Sequence, residues 1–300
     1  MPVASAAFTG VDLSRLPAPQ AIEELGYEPL RAEWLAGLQV LYPAFDATVE
    51  SDPIVKLCEA AAYREMTWRA ARNAGLRSVM VAYAQGSDLD ALGALFGVER
   101  YILVPADPLT ATPAMLEADD EFRRRLVLAP EGYSVAGPAG AYIFHALSAD
   151  GNILDVAADS PTRGEVVVTV LSRSGDGTAG PDLLAAVEAA LGAETIRPIT
   201  DHVVVQSATI VAYEVEATLT FFAGPDKSVV LAAAQAALDR RIAAAHRIGA
   251  VVTRASLIAA LMQPGVQNVD LTVPADDLDP GAEGAPACSG ITLIDGGLAG

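Results

Sequence analysis

Residues 166–184, VVVTVLSRSGDGTAGPDLL, contain a G-x-G-x-x-G at Gly175, Gly177 and Gly180. A β-branched run precedes it and a helix-like run follows, which is the order of a dinucleotide-binding fingerprint. The chemistry of the neighbours opposes that reading. A phosphate loop presents bare backbone N–H groups at the positive end of a helix. Here Asp176 sits between the first two glycines and Asp182 opens the helix, so both repel a pyrophosphate. Pro181 removes a donor where one is needed. A ribose-binding acid should end a second strand some ~20 residues on, but Asp201 precedes its strand, HVVVQ. The plainer reading is a flexible turn with Pro at the first helical position and an acid in the first turn.

Other chemistry is sparse. The histidines, His145, His202 and His246, stand far apart and none lies in H-E-x-x-H or H-x-H. No G-x-S-x-G is present, so a nucleophile elbow is missing. Cys58 and Cys288 match no metal or redox spacing and read as free thiols. Asp88 and Asp90 suggest a metal only until Ser87 is seen as an N-cap, with Asp90 three residues later as in an acidic capping box. The tail PADDLDPGAEGAPACSG is acidic but lacks the alternation of a calcium loop; it reads as an exposed hairpin loop. No cofactor, no metal and no enzymatic activity are expected.

The elements that would position any site fall into two kinds. The chain has 300 residues, 52% of them hydrophobic, enough to bury a sizeable core, and carries a net charge of −19. That sign opposes nucleic acid and anionic membrane surfaces. The N-terminus lacks a basic n-region, and no run approaches the ~20 apolar residues of a spanning helix. Residues 1–45 read as a Pro-punctuated arm with one short helix, and residues 46–160 as a helical domain. From 161 the apolar period changes to that of strands, with a first α/β domain over 161–206 and a second over 207–300. The fold class expected is α+β: an N-terminal helical bundle region followed by two small tandem α/β sandwich-like domains. GPDLLAAVEAAL (180–191) resembles GPDKSVVLAAAQAAL (224–238), and each follows a strand containing Glu-Val, which suggests two related units.

Two stretches point to assembly. The helical run over 54–85 does not segregate its charges: Glu65, Arg69 and Arg72 fall near Leu76, whereas Lys56, Glu59 and Arg77 fall near Tyr63. A surface helix shows one apolar stripe and one polar face. A helix mixed all round is held on several sides, either by other chains, with Met66 and Trp68 as apolar contacts and Arg64, Glu65 and Arg69 setting register, or within its own bundle, with Glu65–Arg69 as an i,i+4 pair. Arg123, Arg124 and Arg125 are consecutive in an acidic chain; they serve internal ion pairs or dock onto an acidic neighbour.

Six motifs then line up in order: FDATVESDPIVKLCEAAAYREMTWRAARNA, AYAQGSDLDALGALFGVER, DDEFRRRLVLAPEGYSVAGPAGAYIFHALSAD, SPTRGEVVVTVLSRSGDGTAG, IRPITDHVVV and GVQNVDLTVPADD. Together they resemble the baseplate J-like family, wedge proteins of contractile phage tails and related injection systems. The resemblance runs from about residue 45 to the C-terminus. It implies a structural virion protein of the tail baseplate, assembled in the host bacterial cytoplasm. It also implies a second copy of the chain, a smaller wedge companion, and spike or hub and sheath-initiating proteins as partners, with no nucleic acid and no membrane insertion. Interface roles for Tyr63, Arg64, Glu65, Arg69, Asn73, Asp88 and Asp90 follow from the motif match. The alternatives are a baseplate-borne cell-wall hydrolase, which needs two carboxylates facing one cleft, and a receptor-binding module.

Overall fold

The computed structural model describes residue 13 and residues 19–45, 49–134, 137–193, 196, 198, 200–224 and 226–298. Most of the N-terminal arm before Pro19, and Pro225 of the second repeat, lie outside the described residues. The chain divides into two compact units. One is helical and takes in Val11–Arg100 together with Ala118–Leu126; the other takes in Tyr101–Glu117 and the chain from Val127 onward.

The helical unit holds α1 (Tyr27–Leu41), α2 (Pro53–Ser78), α3 (Gly86–Ala94) and most of α4 (Asp119–Leu128). Asp52 caps α2 by accepting from Ile54 N at 2.8 Å, and Pro53 takes the first helical position. That satisfies one of the free N–H groups at a helix start. Val55, Cys58, Ala62 and Asn73 form the buried side of α2, at the i, i+3, i+4 spacing of one helical face. α2 is shorter than the 54–85 run: Met80 N and Tyr83 N bond to Arg77 O and Met80 O, so the chain turns at Val79–Ala84. α3 starts at Gly86, with Gln85 at the cap position and no side-chain cap. The expected Ser87 capping box does not form, because the helix begins one residue before Ser87 and places it inside the first turn; the carboxylate of Asp119 accepts from Gly86 N (3.1 Å).

In the other unit, β1 (Ile102–Val104) and β2 (Met115–Leu116) pair as a two-stranded ribbon. A 3-10 turn (Ala129–Tyr133) leads to α5 (Ala139–Leu147), β3 (Ile153–Asp159), β4 (Glu165–Ser172), α6 (Pro181–Leu191) and β5 (His202–Ser207). The sheet order is β3-β4-β5, with β4 antiparallel to β3 and parallel to β5. Ser160–Gly164 is the short turn between β3 and β4. Val168, Val170 and Val156 pack with Tyr142 and Ala146 of α5 and Val187 and Leu191 of α6. Each fully buried aliphatic side chain here contributes about 1.5–3 kcal/mol over exposure.

The second sheet follows: β6 (Thr209–Phe221), α7 (Lys227–Ala245), α8 (Arg254–Leu261), β7 (Val266–Val273) and β8 (Gly284–Leu298), in the order β7-β6-β8. The alternation of β6 sets its faces. Val215, Ala217, Leu219 and Phe221 are buried against Leu238, Leu257 and Leu261, while Glu214 turns outward. Because β7 and β8 flank β6 and do not pair with each other, residues 274–283 cross the sheet rather than turn a hairpin. Gly284–Gly290 of the acidic tail is strand.

Both sheets share one plan. A central strand, β4 or β6, has one antiparallel and one parallel neighbour and is followed by a helix. The order α5-β3-β4-α6-β5 becomes β6-α7-α8-β7-β8, with one helix–strand pair moved from before the central strand to after it. The repeat seen in the sequence therefore marks the equivalent helices α6 and α7. The two sheets meet where Leu171, Ala208 and Ala285 bury together, where Ile248 N donates to Asp155 Oδ2 (3.0 Å) and where Arg247 donates to Leu154 O (3.1 Å). The protein is of the mixed α+β class.

Candidate functional site

The Gly loop turns its donors inward. Thr178 N donates to Asp176 Oδ1 (3.0 Å), Ala179 N to Ser207 Oγ (2.9 Å) and Ser174 N to Ser172 Oγ (3.1 Å). The bond from Thr178 N, with the Thr178 side chain next, holds the Asp176 carboxyl below its usual range. A loop whose N–H groups already have acceptors, one of them an anion, is not a phosphate cradle. Among the described residues no group of three His, Cys, Asp or Glu is placed to hold a metal ion, and no helix is long and apolar enough to cross a membrane.

An apolar surface feature lies along α1 and α2. A groove of about 490 Å³ runs between them, with Trp34, Leu38 and Leu41 on one wall and Ile54, Leu57 and Ala61 on the other. Trp34 Nε1 donates to Glu65 Oε2 at 2.7 Å across it, and Arg31 pairs with Glu59. Ile54, Leu57, Ala61, Arg64, Trp68, Ala71 and Gly75 follow one another at alternating steps of three and four, the seam spacing of a coiled coil. Leu57 and Trp68 are each 69% exposed. The alternating steps of three and four are legible in the sequence, but the mixed charges around them mask Ile54, Leu57 and Ala61 as a seam.

The residues singled out from the sequence separate into groups. Arg64 and Trp68 lie on the seam. Tyr63 is exposed, but one position before Arg64 on a 100° wheel, so it points off the seam. Met66 is half-buried. Arg69 and Asn73 face the segment before α1, while Glu65 bonds Trp34 of α1 and Arg69. Arg69 Nε donates to Glu65 Oε1 (2.9 Å), its Nη1 reaches Glu23 Oε2 (3.4 Å), and Arg72 pairs with Glu23 Oε1 (2.6 Å). Asn73, buried, bonds the backbone of Glu23. Arg69, through its hydrogen bond and charge, lowers the Glu65 pKa below the ordinary range, with Trp34 adding to it. Asp90 pairs with Arg100 (2.7 Å), whose Nη2 pairs with Asp119 (2.8 Å). Asp88 lies exposed in the first turn of α3.

The three arginines divide as well. Arg123 donates to Val81 O and Ala84 O, both at 2.7 Å, and pairs with Asp120. Arg125 is buried, donates to Glu99 O (2.6 Å) and stands over the Phe122 ring at 5.6 Å, with Arg100 at 4.7 Å. Arg124 points to the surface. Arg123 and Arg125 thus fasten the turns at 79–85 and 97–100 to α4, within their own unit.

Family comparisons agree with this layout. The N-terminal domain of the baseplate J-like proteins matches residues 50–107, the central domain residues 134–207 and the C-terminal domain residues 213–294. Baseplate protein J of Escherichia phage P2 is 43% identical over 296 residues, spanning 96% of this chain and 98% of that one. The chain belongs to the baseplate J-like family. It is a structural protein of a bacteriophage tail baseplate. A chain of the anti-feeding prophage baseplate, solved by cryo-electron microscopy, is 17% identical over 49% of this chain and 36% of its own, with a TM-score of 0.35. The match to the central domain ends at the last residue of β5 and the next begins inside β6, so the family's own divisions follow the two sheets.

Proposed function

We propose that this protein is a wedge subunit of a contractile-tail baseplate. In this reading two copies and a smaller companion protein join through their helical units. The wedges close a ring around the central spike and take part in releasing the sheath. The part is mechanical and non-enzymatic. The observation that carries the proposal is the seam on α2. Ile54, Leu57 and Trp68 stand exposed beside an apolar groove, and a lone surface helix gains nothing from such a stripe. Packed against a partner helix, the same side chains become the buried aromatic and aliphatic anchors that dominate interface energies. The expected domain plan, with an arm over 1–45 and a helical domain after it, is part of the proposal: Glu23 and Arg31 bind the arm to α2, leaving the opposite face of α2 for other chains.

Co-expression with the companion wedge protein tests it. Leu57→Glu places a carboxylate on the seam without touching a buried contact. It should leave the folded monomer intact by circular dichroism and abolish co-purification. Co-purification at the wild-type level would remove this face from the interface.

A further inference from the structure

A second groove, of about 360 Å³, opens between the Gly loop, α7 and the start of β8, within the α/β unit. Its walls include Ile242 and Ala243, and none of its polar side chains turns a proton into it. Ser289 Oγ donates to Tyr213 O (3.1 Å). Cys288 Sγ donates to Gly290 O (3.3 Å), and burial pushes that thiol up, so it stays neutral. His246 Nδ1 lies 2.7 Å from Pro286 O. A carbonyl oxygen only accepts, so in the neutral ring the proton sits on Nδ1 and Nε2 is an acceptor. Nε2 faces Gly177, where an added Cβ would stand 3.0 Å from it. The two remaining groups, Asp176 and Asp239, are carboxylates. Asp176 accepts from its own loop and Asp239 from Gln235 Nε2 (2.8 Å), and neither has an ion-pair partner among the described residues.

We propose that this groove receives an arginine side chain from a partner protein. The polar side chains of the lining offer acceptors only, with apolar walls for an aliphatic stem. The complement is a flat cation with five donors and no acceptor, which is a guanidinium. Ammonium has three donors about a point charge and fits spread acceptors less well. A second copy of this chain is an unfavoured source, because a net charge of −19 repels its like. Gly177 leaves the imidazole uncrowded, since a Cβ there would stand 3.0 Å from it. This reading stands apart from the wedge proposal and concerns a different unit of the chain.

Amide chemical shifts of the full-length 15N-labelled protein test it directly. Nα-acetyl-arginine amide should shift Gly175, Asp176, Asp239 and Ser289 saturably. The citrulline counterpart, which keeps the shape and loses the charge, should bind at least about tenfold more weakly. Asp176→Asn with Asp239→Asn removes both charges and should abolish the response. Ala243→Leu fills the groove from an exposed helix position and should do the same. No localised shift, an equal response to citrulline, or binding that survives both variants overturns the proposal. An equal response to acetyl-lysine amide overturns the guanidinium assignment.

Discussion

Asn73 grips the backbone of Glu23 from both sides: its Nδ2 donates to Glu23 O at 2.8 Å and its Oδ1 accepts from Glu23 N at 3.3 Å. One side chain on α2 thereby satisfies both main-chain groups of a residue 50 positions earlier. Asn73→Ala should destabilise the helical unit by about 1–2 kcal/mol, the net worth of two hydrogen bonds at a buried site. Urea denaturation of the single variant measures it. An Asn73→Asp variant should be worse, because a carboxylate has no donor for Glu23 O.

The same clamp has a pH dependence. Glu23 is held below its ordinary value of 4.5, first by its hydrogen bond to Arg72, then by the charges of Arg72 and Arg69. Glu65 is lowered by Arg69 and Trp34. A carboxyl whose folded pKa is depressed adds stability above its unfolded pKa and loses that stability as pH falls through the folded value. The segment before α1 should therefore be fastened at neutral pH and loosen below about pH 4.5. Hydrogen exchange at residues 20–26, followed from pH 6 to pH 3, should rise beyond its intrinsic change only in the acid range. Glu23→Gln should exchange fast throughout.

Gly177 sits at φ +102°, and a Cβ there would lie 2.7 Å from Leu171 Cδ1 and 3.0 Å from the His246 ring. Gly177→Ala should destabilise by about 1–3 kcal/mol through the backbone conformation and the contact together. Gly175, also at positive φ (+66°) but with nothing within 4 Å of a Cβ, should cost less when changed to Ala. Thermal melts of the two variants separate strain from crowding. Equal losses would mean that backbone strain alone accounts for both.

How much of this was legible in the sequence depends on how local the cause is. The cap at Asp52, the Pro181 start of α6 and the alternation of β6 depend on neighbours within a few residues, and each formed as its pattern required. β3 is not legible from local pattern, because Ile153–Asp159 mixes Asp155 into an apolar run and follows helix α5 closely. What makes it a strand is its pairing with β4, across the turn at residues 160–164. The Ser87 cap failed for the opposite reason. The helix starts one residue earlier, at Gly86, whose N–H is bonded by Asp119, 33 residues away and invisible to local spacing. The arginine run left two readings open, and only tertiary structure could show that Arg123 and Arg125 bond to carbonyls of two turns while Arg124 faces out. The topological kinship of the two sheets was half legible: the helix starts repeat, but the moved helix–strand pair leaves no mark in the sequence.

Arg64 and Arg69, five residues apart on α2, should behave as opposites. Arg69 is half-buried and bonds Glu65 and Glu23, so its charge serves the chain's own packing. Arg64 is exposed on the seam, between Ala61 and Trp68, where a charge selects a partner rather than stabilising a monomer. Arg64→Glu should leave the urea midpoint within about 0.5 kcal/mol of wild type, as for other surface changes, and weaken assembly with the companion protein. Arg69→Glu should set a carboxylate against Glu23 and Glu65, lower the midpoint and raise exchange at residues 20–26. Size-exclusion chromatography and denaturation on the two single variants decide between the alternatives. If Arg64→Glu assembles as well as wild type, the seam is not the contact. If both variants lose stability alike, α2 is held on every side by its own chain.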